Sequence, residues 1–230
     1  MARAYLSADE RREQILDCAQ RLFFSKGFEA TTVQDLMIAA GVSKGGFYHH
    51  FAAKDDVLEA LSARMAGLTV GIIEEVISQP GLSAFEQMDQ CLRALRRFKR
   101  DQADGILAAF ETLLRPENIA LYDRINRANI KTVLPMFETI IEAGRRDGCF
   151  NVPDARLAAE AILALGSMSH DMVANAIAAR GTADRARANA ALEQGLTFQG
   201  IIIDRILGLP DGSIQFVEPG FVDALLPLED

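Results

Sequence analysis

The chain contains no run of 18 apolar residues, so the sequence offers no membrane-spanning helix. Its cysteines, Cys18, Cys91 and Cys149, are odd in number and far apart. That spacing suits neither a disulfide framework nor a zinc knuckle, and a reduced, cytoplasmic chain is expected. The opening Met1-Ala2-Arg3-Ala4-Tyr5-Leu6 lacks the long apolar stretch of a signal peptide. Alternating strand patterns and internal repeats are missing too. An excess of positive charge is also absent: the formal net charge is −8, which at first sight argues against a nucleic-acid partner. What the sequence does have is apolar material. Half of its 230 residues are hydrophobic, enough for a packed core, and glycine and proline are scattered.

The distribution of charge changes its meaning. Residues 1–55 hold seven Lys/Arg (Arg3, Arg11, Arg12, Arg21, Lys26, Lys44, Lys54) against seven Asp/Glu, and the remainder carries the whole negative excess. The first quarter is neutral and the rest acidic. This permits DNA binding at the N-terminal end without demonstrating it.

A period of 3.6 dominates and makes the fold class all-α. Ile15, Leu16, Ala19, Leu22 and Phe23 form a stripe on a first helix over 8–26, with Gly27 placed for a left-handed cap. Thr31 to Gln34 reads as a capping box opening a second helix, which buries Val33, Leu36, Met37 and Ala40 and stops at Gly41. Ser43 caps a third, short helix ending near Phe51. A long helix follows from Ala53, with a stripe of Leu58, Leu61, Met65, Leu68, Ile72 and Val76. Further helices are predicted over 83–99, 103–114, 117–145, 154–179 and 184–207, with Pro135 expected to kink or split its helix. Domain limits fall at 1–54, 55–208 and 209–230. The last segment has helix breakers yet is too apolar for a solvated tail, so it should pack on the body or on a partner subunit.

Two short helices joined by Gly41-Val42 have the layout of a helix-turn-helix. On the wheel of the second, Phe47 and Phe51 share the anchoring face. Gly45 and His49 lie opposite, flanked by Lys44 and Tyr48 on one side and Gly46 and His50 on the other. Two glycines in one turn cost helix stability, and a reason for tolerating them is close approach of the backbone to a groove edge. The competing reading is that they pack against a neighbouring helix.

Across Arg11 to Leu61, the Gly27-Phe28, Thr31-Thr32, Ala39-Ala40-Gly41-Val42-Ser43 and Tyr48-His49-His50-Phe51…Lys54 elements stand in register. Together they resemble the DNA-binding region of TetR-family transcriptional regulators. The resemblance implies a three-helix DNA-binding domain followed by a helical ligand-binding and dimerisation bundle. It implies phosphate contacts by Thr32, Tyr48, His50 and Lys54, and base or groove contacts by Gln34, Lys44, Gly45 and His49. The physical chemistry agrees. Tyr and Lys donate well to phosphate oxygens, the capped helix starts at Thr32 and Ser43 present free N–H groups, Lys44 suits guanine O6 and N7, and Gln34 suits adenine.

The resemblance further implies a homodimer on a pseudo-palindromic operator, released by a small, largely apolar effector. Small residues over 154–179 permit close helix approach, and Ile162, Leu165, Gly166, Met168 and Met172, with Leu196 and Ile203, are the expected dimer face; burial within one chain is the alternative. Met65, Phe85, Met88, Phe110, Met136, Phe137 and His170 are candidate effector-pocket residues. No cofactor, metal or catalytic residue is expected: His49 and His50 diverge by about 100° on a helix, and Ser43 and the cysteines lack a base in sequence. Arg96-Arg97-Phe98-Lys99-Arg100 reads as a solvated face near a helix C-terminus. The competing function is an all-α small-molecule binder or enzyme whose N-terminal helices are scaffold only.

Overall fold

The computed structural model describes residues 7–101, 118–218 and 220–226, and all regular structure among them is helical. The helices begin where side-chain oxygens can take up free backbone N–H groups. Ser7 opens α1 (Ala8–Lys26) in a reciprocal capping box with Glu10. The second box is shifted by one residue from the expected one. Thr32, not Thr31, is the N-cap of α2 (Val33–Ala40), and Asp35, not Gln34, closes it. Thr31 is instead buried, its hydroxyl donating to the Gly27 carbonyl at 2.6 Å. The tight turn after α1 has to satisfy that carbonyl away from water, and Thr31 is the side chain within reach. Asp35 accepts from the Thr32 N–H at 2.8 Å and from Lys26 Nζ at 2.7 Å. These contacts, Lys26 foremost, hold its carboxyl down to about 2. Gln34 is thereby left exposed.

Gly41, at φ +61, ends α2 in the left-handed region, and Ser43 caps α3 (Lys44–His50) by accepting from the Gly46 N–H at 3.1 Å. Before α4 (Lys54–Ile77), Asp56 accepts from the N–H groups of Ala52 and Ala53, both at 2.9 Å. Then come α5 (Ala84–Asp101), α6 (Ile119–Asp147), α7 (Ala155–Met168), α8 (His170–Ala178), α9 (Arg185–Leu207) and the short α10 (Phe221–Leu225). None of the described helices is long and apolar enough to cross a membrane.

The chain divides into two compact units, described residues 7–65 with 118–128, and 66–101 with 129–226. The first is built on Ile15, Leu16, Ala19 and Phe23 of α1, with Leu36, Phe47, Leu58 and Leu61, all fully buried. Arg64 ties α4 to α1 by donating to Asp17 and Gln20, both at 2.7 Å, and to Glu13 at 3.1 Å. Past Leu61 the buried stripe of α4 is one residue out of phase with the expected one. Ser62, Ala66 and Ile73 are inside, while Leu68 is 58 % exposed; Val76 is buried as expected. Ser62 can be inside because its hydroxyl donates to the Leu58 carbonyl at 2.8 Å, which apolarity alone does not signal.

In the second unit α6 runs through Pro135 unbroken. Pro135 and Lys131, whose carbonyl loses its partner there, are both exposed, so water can replace the missing bond. The helix expected over 154–179 is interrupted at Ser169. Gln199 of α9 supplies the reason: its Nε2 donates to the Leu165 carbonyl at 3.0 Å and to Ser169 Oγ at 2.7 Å. Ile162, Leu165, Leu196 and Ile203, expected at a dimer face, are buried in this unit's own core.

The segment after α9 folds back on it. Asp204 of α9 has no exposed surface, and its carboxylate accepts from the N–H groups of Gly212 (2.7 Å), Ser213 (3.1 Å) and Ile214 (3.0 Å). Gly200 makes room for the next residues, since a Cβ there would lie 2.8 Å from Cβ of Phe216. Phe216, Phe221, Val222, Leu225 and Leu226 are then buried. Replacing Asp204 by Ala strands three N–H groups, and should lower stability by about 3 kcal/mol. Urea unfolding of D204A, with limited proteolysis reporting release of 210–218, checks this; an unchanged midpoint and unchanged proteolysis would show the cage to be dispensable.

Candidate nucleic-acid interface

α3 has seven residues, two of them glycine, and depends on its anchor. Phe47 is fully buried and Phe51 is 4 % exposed, with ring centroids 6.1 Å apart. Arg12 of α1 lies 5.2 Å over the Phe51 ring. Burying a Phe is worth about 2–3 kcal/mol, enough to offset the poor helix propensity of Gly45 and Gly46, roughly 1 kcal/mol each. With that face fixed, Lys44, Gly45, Tyr48 and His49 are all exposed, and His50 half-buried. Tyr48 stands edge-on to Phe47, centroids 5.5 Å apart, so its ring is braced while 49 % of the residue stays open.

The glycines can now be judged on geometry. A Cβ on Gly45 would meet nothing within 4 Å. On Gly46 it would touch only Ser43 Oγ at 3.3 Å and Val42 Cβ at 3.8 Å. Packing against a neighbouring helix therefore does not account for Gly45. The open space above it faces outward, beside Lys44 and Tyr48.

Thr32 is exposed but engaged in its own cap, and Ser43 caps α3. Lys54 is turned inward: its Nζ donates to the Phe28 carbonyl at 2.8 Å and lies 4.2 Å from the Phe28 ring centroid. Arg124 reaches the same ring at 5.4 Å and pairs with Asp55 at 2.8 Å. Lys54 thus fixes the entry of α4 on the turn after α1, a contact not visible from spacing. The ring centroids of His49 and His50 are 4.9 Å apart. Burial first, then the charges of His49, Arg12 and Arg11, push His50 below its ordinary value of 6.5. Ile38 of α2, 71 % exposed and one turn beyond Gln34, was not singled out from sequence; only its apolarity on a polar face marks it.

Of the expected effector residues, Met88 and Phe137 are fully buried and Phe85 and Met136 pack against the same core. Met65 is half-buried in the first unit. Phe110 and the His170 side chain lie outside the described residues. Of the expected dimer residues, Gly166 and Met168 are exposed and Met172 is half-buried, its sulfur packed on Gly195. Among the described residues no group of three His, Cys, Asp or Glu is arranged to hold a metal.

A capped two-helix turn with a firmly anchored second helix and an open polar face has the layout of a helix-turn-helix, whose second helix reads the major groove. A family model described as bacterial regulatory proteins, tetR family, matches residues 15–61. The HTH-type transcriptional repressor KstR2 of Rhodococcus jostii is 35% identical over 144 residues, covering 61% of this chain and 68% of that protein. Alignments with four curated relatives span 43% to 69% of those proteins' length. Among solved structures, a regulatory protein of the tetR family from Rhodococcus RHA1 matches at TM-score 0.51 and 26% identity, over 88% of this chain and 99% of that one. SmeT in complex with triclosan shares the fold at TM-score 0.57 and 20% identity, over 91% and 98%. The chain belongs to the tetR family of bacterial regulatory proteins, whose members are transcriptional regulators and not enzymes.

The freedom above Gly45 makes a sharp test. Gly45→Ala should raise thermal stability modestly, by about 0.5–1 kcal/mol through helix propensity, while weakening DNA binding roughly tenfold or more. Equal DNA affinity in fluorescence anisotropy would show that nothing approaches this surface closely.

Proposed function

We propose that the chain is a repressor that binds a pseudo-palindromic DNA operator as a homodimer and is released by a small, largely apolar effector, acting in the cytoplasm. The observation that carries the reading is the outward face of α3, where Lys44, the bare backbone of Gly45 and the braced Tyr48 stand together. In this reading residues 1–54 form the DNA-binding domain, 55–208 the effector and dimerisation domain, and 209–230 an extension packed on the body. Lys44 and Gln34 contact bases. Tyr48, His50 and the N–H groups at the starts of α2 and α3 contact phosphates. His49 borders the groove, and Lys54 supports the grip by placing α4.

The dimer face is assigned differently from the sequence expectation. Leu157, Ala161, Ala164 and Met168 form an exposed stripe along α7, and Phe198 is 56 % exposed on α9. Leu157 and Met168 are themselves 62 % and 65 % exposed. Large apolar side chains so displayed suit a self-complementary interface. For the effector, the Met88, Phe137, Phe85 and Met136 cluster supplies adaptable apolar walls. The triclosan held by the SmeT neighbour supports the expectation of an apolar ligand.

Selection of bound sequences from a random DNA pool is the experiment that tests the reading; recovery of two inverted half-sites is expected, and no enrichment would overturn it. Tyr48→Ala should weaken binding to every DNA sequence and flatten its salt dependence. Lys44→Ala should instead relax the selected half-site. Leu157→Arg with Phe198→Glu should yield monomers in sedimentation equilibrium and lose operator binding while keeping its helical content; a dimer would refute the assigned face.

The pH response follows from His50. Its folded-state value is below 6.5, so the unfolded chain binds the proton more readily, and this group's contribution to stability falls as pH drops through 6.5. A phosphate beside His50 favours the charged form, so operator affinity should rise over the same drop. Stability and affinity should therefore move in opposite directions between pH 7.5 and about 5.5, and His50→Gln should flatten the affinity profile. Parallel profiles for His50→Gln and the unmodified protein would remove His50 from the contact.

A further inference from the structure

The basic run at the end of α5 is only partly the solvated face its sequence suggests: Arg97 and Lys99 are exposed, whereas Arg96 and Arg100 are half-buried. Arg93, Arg96, Arg97 and Arg100 recur at helical spacing on one side of α5 and line a cleft whose other wall is the C-terminal extension. The Arg96 guanidinium lies 3.8 Å over the Phe216 ring and 5.9 Å from that of Phe221. Asp89 pairs with Arg93 at 2.8 Å, and Asp101 with Arg100 at 3.1 Å. Glu218, on the cleft wall, reaches Arg100 only at 3.7 Å. Among the described residues no carboxylate pairs with Arg96 or Arg97, in a chain whose net charge is −8.

We propose that this cleft is a receptor site for a phosphate-bearing small molecule, held by Arg96 and Arg97 with Arg100 at the rim. Guanidinium forks match phosphate oxygens two at a time, and several forks on one face suit a group with three acceptors. The aromatic stack fixes Arg96, so little side-chain freedom is lost on binding. The Phe216 and Phe221 rings on one wall lower the local dielectric beside Arg96 and strengthen its attraction to an anion. Burial pushes Arg96 down to about 10, which leaves it charged at neutral pH, with no carboxylate partner among the described residues. A bound phosphate supplies that charge and competes with Glu218 for Arg100. A guanidinium acting only as a strut between α5 and the extension would need Arg96 alone; the exposed Arg97 beside it has no such task.

The site uses neither the DNA-contacting face nor the apolar cluster, so its test is independent of both. Sodium phosphate is titrated into the full chain against sodium chloride at equal ionic strength, with calorimetry as the readout. Saturable binding of one phosphate per chain is expected, with affinity on the order of millimolar. Arg97→Gln, which disturbs no hydrogen bond or ion pair among the described residues, should weaken it roughly tenfold, and Arg96→Met at least as much. Arg187→Gln, an exposed arginine of α9, should leave it unchanged. Phosphate should also slow amide exchange over 214–218 in the unmodified protein. Absence of saturable binding, or equal binding by Arg97→Gln, would overturn the proposal.

Discussion

The burial of Phe47 is the contact on which the first unit's function depends. α3 is too short and too rich in glycine to be stable alone, since helices below about 12 residues are marginal even with good formers. Its geometry is imposed from beneath by Phe47 and Phe51, with the Ser43 cap closing its first turn. The rest of the helix is thereby freed from any packing duty. Gly45 can lack a side chain and Tyr48 can stand exposed because neither is needed to hold the helix. Local stability has been moved from the outward face to the inward one.

The same separation appears in the handling of charge. Several cations that look available in sequence are already engaged within the fold. Lys26 is bound to Asp35, Lys54 to the Phe28 carbonyl and Arg64 to α1. Lys44 stands apart on the exposed face of α3. A neutral first quarter in an acidic chain is therefore compatible with DNA binding, because what a groove meets is the arrangement of a few donors and not the net charge. Affinity built this way should depend on geometry, which the fixed α3 provides.

Much of this was legible in the sequence, because helix periodicity and capping are local. The all-helical class, the ends of α1, the Gly41 turn, the Ser43 cap and the Phe47–Phe51 anchor follow from spacings within one or two turns. The departures share a different origin, in that none of them follows from the apolar spacing of its own helix. Thr31 lost the cap to Thr32 because the Gly27 carbonyl needed a donor. The helix over 154–179 breaks where Gln199 reaches Ser169. The stripe of α4 takes in Ser62, whose hydroxyl is satisfied by the Leu58 carbonyl, and leaves Leu68 outside. Arg96 left solvent because Phe216 and Phe221, more than a hundred residues on, came to cover it.

The proposed dimer face bears on how the sparse DNA-reading surface proposed on α2 and α3 could select a site. With one lysine and one glutamine able to address base edges, a single copy of α3 and α2 discriminates little, since each good bidentate contact is worth about 1–3 kcal/mol. Joining two copies at fixed spacing adds the contributions of two half-sites and rejects sequences whose halves are wrongly spaced. That gain requires a rigid junction. Residues already committed to the core, such as Ile162 and Ile203, cannot provide the contact surface, but they can provide the rigidity beneath it. The exposed Leu157, Met168 and Phe198 can then meet a second copy without rearrangement. An interface made of side chains that the fold does not need is the arrangement already seen at α3, where the anchored face and the working face of one helix are kept separate.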